Sequence, residues 1–563
     1  MSSLHVDTSR LVNPIWLKSA RARLRWKHVI SWGTVTVSLT AFVFMIIYMN
    51  MTEQMGATAA AAAKATIPGI VVVQAVILMM LGTGAVASGI AQERDDRLID
   101  YQRLTPMSPT SKILGYLFGL PVREYFLFAL TLPFLAVAVA ISGFSLFTLA
   151  HFYVVFFTSV WVYHMTGLVA GMLSTRPRFA SMLSMGFVLV LYFALPNLSR
   201  IGITYFEFLT IRPTFFGLLQ QELPQGVGDS APVLAGIDTF RDVPFFNLFL
   251  HPTIYTLLVQ GFLLCVMFVV VHRKWRNQSN HALSKVQALA VYSGVLAFSL
   301  ASVWPIIADA GVRQQVFGAL ERRGPGMHPT ESLLILLLVL FMIVGAAFFL
   351  MILGTTPSRH TAIEGLRRAH KHGRRRVRLN SDAASSLPLT IVMLGLTFVA
   401  LVTPLRLAQH SGMFFIDPPS LMSTLSFIVL LGAIALFMQG FRERCGLRVF
   451  LITIFLLWIV PWFAMTIMFS AQNAWIAGAY VGLPCPPVAA WIAIGTILES
   501  ATPVPGRSPE YLIPELVQSR HALLTTSLVL YGALAAGMQF ELWRWKRRAH
   551  SSVRLATPVL TER

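Results

Sequence analysis

The residues best equipped for binding chemistry crowd into one short stretch, Glu93 to Arg103, which reads Glu-Arg-Asp-Asp-Arg-Leu-Ile-Asp-Tyr-Gln-Arg. Leu98, Ile99, Tyr101 and Leu104 are interleaved with the charges, as in a short amphipathic helix lying on a membrane or under a partner. A solvated loop is the plainer alternative. Thr105-Pro106-Met107-Ser108-Pro109 ends the stretch, and a new helix is expected from Ser108 with Pro109 at its first position. A second basic stretch, Thr361 to Lys371, suits a helix with Ile363 and Leu366 towards the membrane. His151 and His164 are thirteen residues apart, roughly on one helical face. That spacing is about 20 Å along a helix, too long for one metal. His360, His370 and His372 lie in a basic run with no cysteine nearby and are expected to be solvated rather than metal ligands. Cys265, Cys445 and Cys485 cannot make a disulfide framework.

Enzyme motifs are absent from the chain. There is no Gly-x-Ser-x-Gly, no His-Glu-x-x-His and no phosphate loop; Gly82-Thr83-Gly84 is followed by no lysine and is expected to serve helix packing. The chain is therefore not expected to be an enzyme or to bind a cofactor. If ATP drives it, another polypeptide must hold the ATP and Mg.

Composition says what must position these residues. Of 563 residues, 56% are hydrophobic and 12% charged. Soluble domains are about a quarter charged, so neither a string of soluble domains nor a disordered chain fits. Twelve windows are long and apolar enough for a membrane-spanning helix of about 20 residues: 30–50, 67–90, 124–142, 149–173, 179–199, 251–271, 286–306, 332–354, 387–405, 421–440, 449–470 and 521–541. A thirteenth stretch, 474–498, is interrupted by Leu483-Pro484-Cys485-Pro486-Pro487.

Charge decides the count. The net charge is +20, with 44 Lys+Arg against 24 Asp+Glu. With 474–498 not crossing and the N-terminus inside, 33 of those 44 basic residues fall on inner segments, as the positive-inside rule requires. A thirteenth crossing would put Trp543-Arg544-Trp545-Lys546-Arg547-Arg548 outside. So 474–498 is expected to be re-entrant or interfacial, both termini cytoplasmic, and the +20 an orientation signal rather than a sign of nucleic acid. The leader and the first apolar run are both too long for a signal peptide, so the first span is expected to be uncleaved.

The expected fold is an all-α polytopic membrane protein of about twelve transmembrane helices, built as two parallel six-helix halves. Residues 1–29 form a cytoplasmic amphipathic segment, 30–275 the first half, 276–548 the second and 549–563 a cytoplasmic tail. Each half has a long charged inner segment after its second span, 91–121 and 355–386. Each has a short basic inner loop, Arg176-Pro177-Arg178 or Arg442-Glu443-Arg444, and a long outer segment before its last span, 200–250 or 471–520. Those outer segments are expected to be re-entrant or interfacial.

No span carries a Lys, Arg, Asp or Glu away from its ends, which argues against coupling to ion flow. Glu124 and Glu541 sit at span edges, with Arg123 beside Glu124 as a local ion pair. Buried polar candidates are Gln74, His164, Asn197, Gln260 and Gln439, for which helix–helix hydrogen bonding competes with substrate contact.

One family resembles this pattern. Glu93-Arg94 closing the second span, then Leu104-Thr105-Pro106-Met107-Ser108 and Lys112 before the third, is similar to the permeases of ABC-2-type transporters. Asn13-Pro14 followed by Lys18 and Arg21 resembles that family's N-terminal amphipathic helix, and Asp96-Arg97 stands where the family has Gly-Thr. The motifs cover about 1–121; layout extends the likeness to 275. The resemblance implies a coupling helix that docks on a nucleotide-binding ATPase subunit, with Glu93, Arg94, Arg97 and Arg103 at the dock and Thr105 and Pro106 shaping the bend. It implies an ATP-driven permease, expected to export, in the plasma or inner membrane. By position, Arg367, Arg368 and Lys371 are the second half's coupling residues, or contacts to anionic lipid. A twelve-span secondary transporter and a non-transporting membrane scaffold are the alternatives.

Overall fold

Away from water an apolar chain satisfies its own peptide groups by forming helices, and the described residues include twelve helices long and apolar enough to cross a membrane. A computed structural model describes residues 13–174, 176–222, 242–277, 280–314, 329–374, 377–410, 421–471, 474–499 and 514–556. The protein is an all-α polytopic membrane protein; two three-residue strands, Val243–Phe245 and Leu248–Leu250, are the only β structure among the described residues.

The chain divides into two compact units. The second begins at Asn280 and also takes in Ile201–Ile203 and Phe245–Asn247. The first holds span 1 (Trp26–Gln54), span 2 (Ala59–Asp95), span 3 (Val122–Ser142), span 4 (Leu146–Met172), span 5 (Pro177–Ser199) and span 6 (Pro252–Arg276). The second holds span 7 (Lys285–Ala308), span 8 (Ile335–Thr355), span 9 (Leu387–Leu407), span 10 (Met422–Cys445), span 11 (Val449–Ser470) and span 12 (Gln518–Ser551).

The two units share a packing scheme. In each, the first span packs on the second and third, the second on the third and fourth, and the fourth on the fifth and sixth. The repeat of layout thus has a counterpart in helix pairing. One pairing differs. Span 5 packs on the C-terminal part of span 2, whereas span 11 packs chiefly on the helix Trp475–Gly482 and is the least buried of the twelve.

Span 2 is made of two α-helical pieces. Ala59–Ala75 packs on spans 1 and 3, while Thr83–Asp95 packs on spans 4 and 5. Between them Val76–Gly82 is π-helical, a wide turn that leaves backbone carbonyls in need of partners.

The interrupted stretch 474–498 is not one continuous helix. It folds as two helices, Trp475–Gly482 and a fourteen-residue Pro486–Glu499, each shorter than the about 20 residues a crossing needs. The break is buried. Met465, Ala479, Leu483, Cys485, Val488, Ile492 and Leu523 form one apolar cluster around it. The Tyr531 hydroxyl on span 12 donates to the bare carbonyls, 2.7 Å from Pro484 O and 3.2 Å from Leu483 O. In the first unit, Thr204–Leu209 and Arg212–Glu222 pack on spans 4 and 6 in the corresponding place.

Several boundaries differ from those expected. Ala59–Lys64, read as outer loop, belongs to span 2, because an alanine run is strongly helical and Thr58 caps it through its side chain. Arg442-Glu443-Arg444 is not a loop; the helix runs through to Cys445. The basic cluster His272–Arg276 is likewise the last turn of span 6, where cations suit the helix C-terminus. The helix of span 12 continues to Ala556; the rest of the expected tail, 557–563, lies outside the described residues. So do 1–12 of the N-terminal segment, whose described part is the helix Pro14–Arg23. Asn197 is not buried. The chain turns 3-10 helical at Leu195, beside Pro196, and Asn197 is exposed, with its amide on Phe193 O at 2.7 Å.

Candidate functional site

The charged stretch 93–103 is bent rather than one continuous helix. Span 2 ends at Asp95, Arg97 adopts a left-handed conformation (φ 58°), and a new helix runs Leu98–Leu104. Thr105 turns its hydroxyl back to Gln102 O at 2.7 Å, and Ser108 caps the next helix, Pro109–Gly119, with Pro109 at its start as expected. The result is an elbow between spans 2 and 3.

Glu93 is the elbow's inner anchor. Its Oε1 accepts from Lys18 Nζ at 2.9 Å, tying in the N-terminal helix Pro14–Arg23. Its Oε2 accepts from the Tyr116 hydroxyl and from Gln102 Nε2 at 3.3 Å. Tyr116 stays a phenol. Burial raises its pKa, and the Glu93 charge and hydrogen bond raise it further. Asn13 adds a second strap, donating to Ser111 O at 2.6 Å while capping its own helix. The N-terminal helix also sends Arg23 to Ala85 O on span 2, at 3.3 Å. Burial lowers the Arg23 pKa, and the Glu124 charge opposes that. Glu124 itself is fully buried and held by Arg123 at 2.6 Å, the ion pair expected from their adjacency.

Two cations brace the elbow further on its inner side. Lys112 Nζ donates to Gln102 O at 2.5 Å and Thr105 O at 3.2 Å, so an ammonium sits on the negative end of the Leu98–Leu104 helix. Arg103 reaches Trp275 O at 3.2 Å and Lys274 O at 3.3 Å at the end of span 6, and Asp100 at 2.6 Å. Arg94 donates to Met172 O at the end of span 4. Of the residues expected to dock a partner, Glu93, Arg94 and Arg103 thus point into the unit and join the elbow to spans 4 and 6. Arg97, Thr105 and Pro106 lie exposed on its outer side.

The outward surface is apolar at its centre. Tyr101 is 70% exposed and Leu104 84%, with Leu98 and Asp100 also exposed beside them. Tyr101 and Leu104 stand there among exposed charges at Asp95, Asp96, Arg97 and Asp100. Their sequence signal was the apolar interleaving of the stretch. Lys18 was marked only as part of the N-terminal helix and Tyr116 not at all, because their role depends on the Glu93 carboxylate arriving from 75 and 23 residues away.

Inside the first unit the polar candidates join helices. Gln74 on span 2 donates to Thr131 Oγ1 on span 3 at 2.9 Å and accepts from the Tyr153 hydroxyl on span 4 at 2.6 Å. Gln260 on span 6 donates to Ser159 Oγ on span 4 at 2.9 Å. His164 Nε2 meets Leu78 O in the π-helix. His151 is engaged elsewhere, with Thr253 on span 6, so the two histidines share no site.

In the second unit the helix Arg359–Lys371 fills the elbow's position in chain order. It buries its small residues, Ala362 and Gly365, and Gly365 lies so close to Ala383 that no side chain fits between. Ile363 and Leu366 are half-buried. Arg367, Arg368 and Lys371 are exposed, with Arg368 3.4 Å from Glu364 on its own helix. The loop after it is gathered around Lys285, the first residue of span 7. Its Nζ donates to the carbonyls of Leu379, Ser381, Ala384 and Ser385 at 2.8 to 3.0 Å. Gln439 is buried on span 10. Four residues on, Glu443 is fully buried and pairs with Lys546 of span 12 at 2.8 Å. The sequence placed these charges only as orientation signals. No group of three or more His, Cys, Asp or Glu suited to a metal occurs among the described residues.

Compared with known proteins, the chain matches no family model, no curated protein and no solved structure significantly.

Proposed function

We propose that this chain is the membrane permease of an ATP-driven ABC-2-type transporter, an exporter of the plasma or inner membrane with both termini cytoplasmic. ATP and Mg are handled by separate nucleotide-binding subunits. The observation that supports this reading is the elbow. It is a short helix with an apolar exposed face, and it is braced on its inner side by Glu93, Lys112 and Arg103. Such a part suits receiving force from a partner and passing it on without bending. Force applied at Tyr101 and Leu104 passes directly into Thr83–Asp95, then to spans 4 and 5 on which that piece packs. The π-helix above it is the joint at which the inner piece can move relative to Ala59–Ala75. The second unit's basic helix shows no comparable apolar face, so the ATPase acts through the first unit, and Arg367, Arg368 and Lys371 face anionic lipid.

The test is affinity purification of the intact chain from its native membrane. Recovery of a polypeptide with a phosphate loop, and vanadate-sensitive ATP hydrolysis, is the expected result. Recovery of no ATPase, under conditions where unrelated permeases yield theirs, would overturn the reading. So would transport that persists without ATP and collapses with an ionophore, as a secondary transporter requires.

A further inference from the structure

Behind the elbow, at the basic end of the first unit, lies a cavity of about 120 Å³ lined by Arg94, Ile99, Asp100, Arg103, Met172 and Lys274. Three of its six residues are cations and one is an anion, so the wall carries a net +2. The cations come from three separate elements, which are the end of span 2, the elbow helix and the end of span 6. Two of them also hold the elbow, Arg94 through Met172 O and Arg103 through Trp275 O and Lys274 O, and Arg103 pairs with Asp100 at 2.6 Å. Arg94 and Arg103 satisfy carbonyls at helix ends, which lone waters satisfy elsewhere in proteins. The convergence leaves positive charge around a space of small-molecule size, comparable to cavities of about 150 Å³ that hold one benzene ring.

We infer that this cavity binds a phosphate group. A tetrahedral oxyanion accepts hydrogen bonds from several directions at once, and arginine's fork and a lysine point charge are the side chains best matched to it. Asp100 repels carboxylates and phosphates alike, so only a group contacting all three cations at once gains enough to bind. A phosphate bound here bridges spans 2 and 6 through the elbow and stiffens the joint between them. The phosphate belongs either to an anionic phospholipid headgroup at the membrane surface or to a soluble phosphorylated compound. This site does not depend on an ATPase partner, and its test needs only the chain itself.

The test uses the purified full chain in nanodiscs of phosphatidylcholine alone or with phosphatidylglycerol, and separately in phosphatidylcholine nanodiscs with added pyrophosphate. Retained lipid is counted by native mass spectrometry and affinity read from the shift of the unfolding midpoint. Lys274→Gln is expected to weaken binding about ten-fold, the loss of one charged hydrogen bond. Asp100→Asn is expected to strengthen it several-fold. Arg25→Gln, a basic residue at the start of span 1 outside the cavity, controls for general attraction to anionic surfaces and leaves binding unchanged. A response to phosphatidylglycerol alone identifies a headgroup site; a response to pyrophosphate identifies a soluble ligand. Equal affinity in wild type, Lys274→Gln and Asp100→Asn overturns the inference, and so does no response to either probe. Because the two variants move in opposite directions, poor folding of one leaves the other decisive.

Discussion

His164 Nε2 lies 2.9 Å from the carbonyl oxygen of Leu78, inside the π-helical turn of span 2. A carbonyl accepts, so Nε2 carries the proton, and the Tyr125 hydroxyl is 3.5 Å from Nδ1 on the other side of the ring. Gly82 makes the approach possible. A Cβ there would stand 2.6 Å from the same Nε2.

The π-turn and the histidine should therefore fail together. His164→Leu leaves the Leu78 carbonyl without its donor and is expected to cost about 1–3 kcal/mol. Gly82→Ala pushes the ring away and costs a similar amount. Since both break one contact, the double variant should cost less than the sum of the two. Thermal unfolding of the four proteins in one detergent measures this, and strict additivity would show that the two positions act separately.

Tyr101→Ala with Leu104→Ala removes the elbow's exposed apolar face. Both side chains are mostly in solvent, so stability should change by no more than about 0.5 kcal/mol. ATPase recovery should be lost. Glu93→Gln is the contrasting case. It weakens the Lys18 and Tyr116 contacts, so the unfolding midpoint and ATPase recovery should fall together. Limited proteolysis between residues 24 and 26 reports whether the N-terminal helix has come loose.

The Glu443–Lys546 pair should respond unevenly. Glu443 is fully buried, while the Lys546 side chain is 32% exposed. Lys546→Met strands a carboxylate in apolar surroundings and is expected to cost about 3–5 kcal/mol. Glu443→Leu leaves an ammonium that can reach water along its own stem, so the loss is smaller. Combining the two should recover most of the stability. If Lys546→Met proves the milder single change, the burial assigned to Glu443 is wrong.

Arg97 holds a left-handed backbone that costs an L-residue about 1–2 kcal/mol. Arg97→Gly relieves it, offset by about 0.5–1 kcal/mol of glycine's extra chain entropy. The expected order of unfolding midpoints is Gly at or above Arg, with the β-branched Arg97→Val clearly lowest. Arg97→Val matching wild type would mean the elbow bends elsewhere.

The membrane architecture was readable because hydropathy and charge act over tens of residues. Twelve apolar helices, and the break in 474–498, followed from run length and from Leu483-Pro484-Cys485-Pro486-Pro487. The elbow was readable in outline, since Pro106, Ser108 and Pro109 are local punctuation. Its inward wiring was not. Glu93 looks like any surface acid until Lys18 and Tyr116 meet it in space. The π-turn left no mark in Val-Ile-Leu-Met-Met-Leu-Gly, because what holds it is a histidine 86 residues away. Glu443 was hidden by its neighbours. Between two arginines a glutamate reads as part of a solvated loop, and only the continuation of the helix turns it inward. Asn197 erred the other way, where a change of helix type at a proline rotated a residue of an apolar window into the open.

Four carbonyl oxygens around one nitrogen is how a loop wraps a bare monovalent ion. At Lys285 the ion is tethered to the polypeptide. An ammonium has three protons, so one of them is shared between two of the four oxygens, and the loop closes around a centre that dialysis cannot remove. The segment 379–385 should therefore keep its shape in ion-free buffer and lose it only when that amine is chemically blocked. Acylating one lysine would do to this loop what a chelator does to a calcium site.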